Sequence, residues 1–118
     1  MDAGGVGALR YPLAADLDHS ISRAYGVESD GGESYYPAGV SMRATYVIDQ
    51  NGVVRHMVVN DEPLGRNIDE VIRIIEGLQF FEENGQVCPA GWEKDKQAFT
   101  PKDPAKLAAY LSANAQDL

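Results

Sequence analysis

Cys88 is the single cysteine among 118 residues and the side chain with the most chemistry to offer. It lies in Val87-Cys88-Pro89-Ala90-Gly91-Trp92, within an irregular stretch. A lone cysteine commonly behaves as a small buried hydrophobe. Here the flanking proline, glycine and charged residues argue instead for an accessible position. No helix N-terminus or adjacent basic residue is evident, so the thiol is expected to have an ordinary pKa. Such a thiol attacks peroxide poorly but serves as a second attacker on a sulfur that is already oxidised. One thiol also excludes an internal disulfide and a multi-cysteine zinc site. Any disulfide must therefore join this chain to another molecule.

The remaining reactive residue types are sparse. His19 and His56 are the only histidines, and neither has a metal-ligand spacing to another His or Cys. His19 reads as part of a solvated helix face beside Asp16 and Asp18, and His56 as a partly exposed structural residue in a strand. No metal site is expected. Arg43 opens a strand whose later residues are apolar. Either it is an edge charge paired with a carboxylate, or a cation at a pocket rim able to lower a thiol's pKa or polarise an oxyanion. Spacing alone favours the first. Gly4-Gly5-Val6-Gly7 fits neither the dinucleotide fingerprint nor the phosphate-loop pattern and reads as a flexible loop. No serine occupies a nucleophile-elbow sequence.

The elements that must position these groups follow from pattern and charge. The length suits one domain. Ten Lys and Arg against eighteen Asp and Glu give a net charge of −8, which disfavours nucleic acid and anionic membranes as partners. No apolar run is long enough to span a bilayer. The start lacks the basic flank of a secretory signal, and with one thiol this points to a reducing, cytoplasmic setting.

A first helix is expected from Asp16 or Asp18, either of which can cap it, to Gly26 as a left-handed stop. Leu17, Ile21, Ala24 and Tyr25 would share its apolar face. Glu28–Gly39 is a turn-rich insertion. Arg43–Asp49 and Val53–Asn60 read as strands, joined through Gln50-Asn51-Gly52 as an antiparallel hairpin. Asn67 should cap a helix, with Glu70 as its capping-box partner and Ile68, Val71, Ile72, Ile75, Leu78 and Gln79 on one nearly all apolar stripe, ending at Asn84-Gly85. Asp103-Pro104 can start a short last helix with Leu107, Tyr110 and Leu111 on one side. That final arm holds too few apolar residues to fold alone and should lie across another surface, its own domain or a neighbouring subunit.

Along nearly its whole length the chain resembles the typical 2-Cys peroxiredoxins, including the alkyl hydroperoxide reductase C-type subunits. The resemblance rests on Gly4-Gly5-Val6-Gly7 with Tyr11-Pro12-Leu13, on Ile21 to Tyr25-Gly26-Val27, and on Arg43 to Ile48-Asp49. It continues through Asn51-Gly52-Val53, Arg55-His56, Val59-Asn60-Asp61 and Gly65-Arg66. Its most specific element is Val87-Cys88-Pro89-Ala90-Gly91-Trp92, which resembles the signature around the family's resolving cysteine.

The resemblance implies an α/β, thioredoxin-like fold and thiol-dependent reduction of hydrogen peroxide and organic hydroperoxides. In the family, a peroxidatic cysteine becomes a sulfenic acid and the partner subunit's resolving cysteine condenses with it. Thioredoxin or a flavoprotein disulfide reductase then reduces the disulfide. Carried over by position, Cys88 is the resolving cysteine, Arg43 the active-site arginine and Arg66 a second, supporting arginine. The implied partner is a second copy or another peroxiredoxin subunit, bound through an intersubunit disulfide at Cys88. No cofactor is implied.

Departures from the family pattern bear on function. The peroxidatic cysteine, with the N-terminal strands and the helix that carries it, has no counterpart here. The chain corresponds to the C-terminal portion of the fold, about the last two-thirds of a member. Residues 1–82 would form the C-terminal part of the thioredoxin-like domain, and 83–118 an arm with the resolving cysteine. Alone, the chain is expected to be inactive as a peroxidase. Tyr110-Leu111 stands where peroxide-sensitive members carry Tyr-Phe, implying weaker tail packing and lower sensitivity to excess peroxide. The competing expectation is a non-enzymatic short chain that pairs with a full-length peroxiredoxin through the dimer surface. An in-frame Pro-x-x-x-Thr-x-x-Cys segment upstream would separate the two.

Overall fold

The computed structural model describes residues 7–32 and 34–116. The expected loop at Gly4-Gly5-Val6 lies outside the described residues. In order, the elements are α1 (Ser20–Ala24), β1 (Arg43–Ile48), β2 (Val54–Asn60), α2 (Ile68–Asn84) and α3 (Pro104–Ala113). They form two compact units. One is drawn from Met1–Ala44 and Val59–Gly65, the other from Thr45–Val58 and Arg66–Leu118.

Strands β1 and β2 pair as the expected hairpin. A connection this short can only join antiparallel strands. Asp49 closes it: its amide donates to the Val53 carbonyl, and its carboxylate accepts from the amides of Asn51 (2.9 Å) and Val53 (3.0 Å). Gly52 supplies the positive φ of 78° that this turn requires.

In the first unit, α1 is a single short turn, much less than the helix expected from Asp16. Asp16 and Asp18 do take up its leading donors, but from a distance. Asp16 accepts from the amides of Ile21 and Ser22 (both 2.9 Å) and from Ser22 Oγ (2.6 Å), and Asp18 from Ser20. Gly26, at φ 67°, ends the helix as expected. Its amide bonds to the Arg23 carbonyl and that of Val27 to the Ser22 carbonyl, the Schellman pattern. The expected apolar face is not buried in this unit: Leu17 is 94% exposed, and Ile21 and Tyr25 are also exposed. The buried residues of this unit include Ser22, Val27, Ser29 and Tyr36.

The turn-rich insertion carries the anchor of this unit. Gly39 N–H donates to the Ser29 carbonyl, Ser29 N–H to Val40, and Ser29 Oγ to the Tyr36 carbonyl. Gly31 is required here, because a Cβ at φ 75° would come within 2.9 Å of the Ala38 nitrogen. The turns bury Tyr36 to 5% exposure. Its hydroxyl donates to the Asn60 carbonyl (3.2 Å) and accepts from the Arg43 amide (2.9 Å), so one phenol pins the start of β1 to the end of β2.

In the second unit, Asn67 caps α2 as expected, its side chain accepting from the Glu70 amide at 3.1 Å. The capping box is only half formed, since both Glu70 carboxylate oxygens go to Arg73. Gly85, at φ 65°, ends the helix. Residues 87–99 fold back on α2. Val87 and Phe99 pair as an isolated bridge, and Trp92 is buried to 2% exposure with its ring 5.0 Å from that of Phe80. Asp103 caps α3 by accepting from Ala105 and Lys106, with Pro104 at its start. Tyr110 is buried and packs on Phe99 at 5.0 Å, whereas Leu111, expected on the same side, is exposed.

Tyr36→Phe removes a hydroxyl, breaking the part-buried bond from the Arg43 amide and the one to the Asn60 carbonyl. It should lower unfolding stability by about 1–3 kcal/mol. Urea titration followed by far-UV circular dichroism checks this; an unchanged midpoint would show that the phenol does not pin the hairpin.

Candidate functional site

Cys88 lies in the second unit, half-buried, three residues after the left-handed Gly85 that ends α2. The bridge between Val87 and Phe99 fixes the residue before it, with N–H···O distances of 2.8 and 3.2 Å. On the other side, the Trp92 amide donates to the Pro89 carbonyl and its indole Nε1–H to the Lys96 carbonyl (both 3.1 Å). The thiol therefore sits on a loop whose two ends are tied. Its Sγ donates to the Gly77 carbonyl at 3.6 Å. The loop packs directly over Gly77: a Cβ there would sit in ordinary contact with Cys88 Sγ and the Trp92 ring, at 3.7 Å.

The thiol borders a cleft of about 440 Å3 between α2, the hairpin and the loop, lined by Arg55, His56, Arg73, Leu78, Phe81 and Cys88 among others. Burial pushes the Cys88 pKa up, and the Arg73 guanidinium offsets part of that rise. The sequence suggested an accessible thiol without a basic neighbour. The thiol is half-buried yet borders the cleft, and a basic group reaches it from elsewhere in the chain. Cys88 is packed on a helix, and its cation comes from α2, fifteen residues earlier in the chain.

Arg73 is held on three sides. Its Nε and Nη2 bond to the two Glu70 carboxylate oxygens at 2.6 and 2.8 Å, and its Nη1 donates to the Trp92 carbonyl at 2.8 Å. This pairing depresses the Glu70 carboxyl pKa and raises that of Arg73. Spacing holds a signal for this: Glu70 and Arg73 are i,i+3, and Arg73 and Gly77 are i,i+4, so all three share one helix face. Sequence reasoning missed it because an i,i+3 Glu–Arg pair reads as an ordinary helix-surface pair until the loop folds back onto it. Arg55 bridges the same unit, bonding Asp49 (3.2 Å) and Glu82 (2.9 Å).

The other expected residues are placed as follows. Arg43 lies in the first unit, where its Nε donates to the Glu62 carbonyl at 3.0 Å and its Nη2 stands 3.6 Å from the Glu62 carboxylate. Arg66 is exposed in the loop leading into α2. Arg66 and Cys88 thus belong to one unit and Arg43 to the other. His19 is not on a plain solvated face: at a left-handed φ of 61°, its Nδ1 is 2.8 Å from Glu28 Oε1. His56 borders the Cys88 cleft, and its buried Nδ1 has no hydrogen-bond partner. Among the described residues no group of three or more His, Cys, Asp or Glu is placed to hold a metal ion. Nor is any helix there long and apolar enough to cross a membrane.

A hairpin followed by a capped helix, with a cysteine loop folded onto that helix, is the C-terminal portion of a thioredoxin-like peroxiredoxin fold. The structure of the reduced 2-Cys peroxiredoxin of Plasmodium vivax superposes on it with a TM-score of 0.73 at 42% identity. The match covers 83% of this chain and 47% of the other. Residues 2–57 match the AhpC/TSA family, and residues 77–113 match the C-terminal domain of 1-Cys peroxiredoxin. Alkyl hydroperoxide reductase C of Buchnera aphidicola is 38% identical over 109 residues, spanning 92% of this chain and 52% of that protein. The mitochondrial thioredoxin-dependent peroxide reductase of Drosophila melanogaster is 46% identical over 110 residues, 92% and 44% of the two chains. The chain belongs to the peroxiredoxin family. It spans about half the length of the curated relatives it matches, less than the two-thirds expected from sequence.

Because burial raises the Cys88 pKa, its alkylation by iodoacetamide should follow a pH profile with a midpoint above the ordinary thiol value of about 8.5. In urea the midpoint should fall to that value. The sign carries over to stability: folding favours the protonated thiol, so this contribution is full below the unfolded-state pKa and is lost as pH rises through the folded one. A native midpoint at or below the unfolded one would contradict the packed site.

Proposed function

We propose that this chain is the part of a thiol peroxidase that supplies the resolving thiol, Cys88. In the complete reaction, the peroxidatic thiolate of another segment attacks the terminal oxygen of a hydroperoxide. An S–O bond forms and the O–O bond breaks; the departing alkoxide or hydroxide takes a proton to become an alcohol or water, and the cysteine is left as a sulfenic acid. Cys88, as thiolate, then attacks the sulfenic sulfur. An S–S bond forms, the S–O bond breaks, and the departing hydroxide takes a proton to become water. A dithiol reductant finally supplies two electrons to open the disulfide.

The observation that carries this reading is the packing of the chain's one cysteine. A thiol whose pKa is raised by burial has a low thiolate fraction at neutral pH and is unsuited to first attack on peroxide. Against an electrophilic sulfenic acid held beside it, the rate depends on access and position as well as on acidity. The AhpC/TSA match and the peroxide reductases among the relatives support the thiol-peroxidase part of this reading.

Arg43 is the arginine assigned to the peroxidatic site, with Arg66 in support. A guanidinium there would hold the peroxidatic thiolate and the peroxide oxygens through its fork of donors. The assigned partner is a second peroxiredoxin subunit, disulfide-bonded at Cys88. The assigned reductant is thioredoxin or a flavoprotein disulfide reductase, in the cytoplasm. The division into residues 1–82 and an arm, 83–118, belongs to the same proposal.

Intact mass after a brief peroxide pulse, read before and after reduction, tests this. With a subunit that carries a peroxidatic cysteine present, the 12.8 kDa chain should appear in a conjugate that collapses on reduction. The conjugate should be absent for Cys88→Ser. On its own the chain should consume no peroxide. A mass that stays near 12.8 kDa under every condition would overturn the assignment of Cys88.

A further inference from the structure

We propose that Arg73 is the positioning residue for Cys88: fixed by Glu70, it ties the cysteine loop to α2 and keeps a positive charge on the wall of the cleft that receives the thiol. The inference deepens the resolving-thiol reading and rests on it.

Geometry carries the proposal. A guanidinium has five N–H donors in a rigid fork, and the three bonds of Arg73 occupy that fork from two directions. Two go to Glu70 on its own helix, which holds the side chain in one orientation. The third reaches the carbonyl of Trp92, the most buried side chain of the loop, four residues beyond Cys88. The guanidinium also lines the same cleft as the thiol. It therefore acts on Cys88 in two ways. Through Trp92 it fixes where the loop lies on α2, and through its charge it favours the thiolate against the burial that opposes it.

The other charged or titratable groups near the thiol are few. From α2 comes Glu70, which neutralises part of the Arg73 charge. From β2 come His56 and Arg55, the latter paired with Asp49 and Glu82. From the loop comes Glu93, whose charge acts on Arg73. Arg73 is the cation whose charge acts on Cys88 directly.

The test reads the thiolate with iodoacetamide, a neutral probe. The Cys88 sulfur attacks its methylene carbon, the C–S bond forms and iodide leaves. Arg73→Gln keeps a donor for the Trp92 carbonyl but removes the charge. Its pH midpoint should move up, and its rate at pH 7 should fall roughly three- to tenfold. Arg73→Lys keeps the charge but not the fork that bonds Glu70 and Trp92 together, so its midpoint should lie between those of the parent and Arg73→Gln. Glu70→Gln, which frees the guanidinium charge, should move the midpoint down. A purely structural Arg73 predicts the opposite sign for Arg73→Gln, since a loosened loop exposes the thiol and moves its midpoint down. That result, or no movement, overturns the proposal.

Because alkylation needs no sulfenic partner, failure here leaves the disulfide test of the resolving role intact. Conversely, loss of the disulfide alone would leave the Arg73 result standing.

Discussion

An irregular segment cannot pair its carbonyls through a helix or a sheet ladder, and a buried carbonyl without a partner is unfavourable. Residues 87–99 meet this constraint in three ways. They form one isolated bridge, between Val87 and Phe99. They make local turns, with the Trp92 amide on Pro89 and its indole on Lys96. And they accept one donor from outside, the Arg73 guanidinium on the Trp92 carbonyl. Burial of Trp92 against Phe80, and the close approach of Cys88 to Gly77, depend on that arrangement. The chemistry follows from it, because the same packing that satisfies the loop buries the thiol and makes it a reluctant acid.

The acidic composition has a structural counterpart. With eighteen acidic side chains against ten Lys and Arg, the cations are drawn into pairs: Arg23 with Glu28, Arg43 with Glu62, Arg55 with Asp49 and Glu82, Arg73 with Glu70. Exposed pairs of this kind contribute little to stability. Their effect is positional. Arg55 ties the hairpin to α2, and Arg73 ties α2 to the cysteine loop, so two arginines with carboxylate partners set the walls of the Cys88 cleft.

Much of the architecture was legible from residue types. The hairpin, the Asn67 cap, the stops at Gly26 and Gly85 and the Asp103-Pro104 start all rest on local rules that act within a few residues. The failures share a cause. The helix expected from Asp16 shrank to Ser20–Ala24 because both aspartates take donors at a distance and His19 turns left-handed. The apolar face of Leu17 and Ile21 was legible as a pattern, but burial is a property of what packs against a face, and periodicity does not report it. Tyr36 was hidden in a turn-rich stretch because a single phenol bonding two strands leaves no periodic trace.

The same division holds at the site. The sequence by itself determined that this chain has one thiol, that the thiol belongs to a peroxiredoxin-like Val-Cys-Pro-Ala-Gly-Trp segment, and that a capped helix precedes it. Those properties are written in residue identity and short spacing. Only the tertiary structure decided that Cys88 is half-buried on Gly77 and that Arg73 is its cation. The thiol's acidity depends on desolvation and on charges in space, and the arginine that supplies the charge lies fifteen residues away along the chain. Folding the loop back onto α2 turns that distance into a shared cleft.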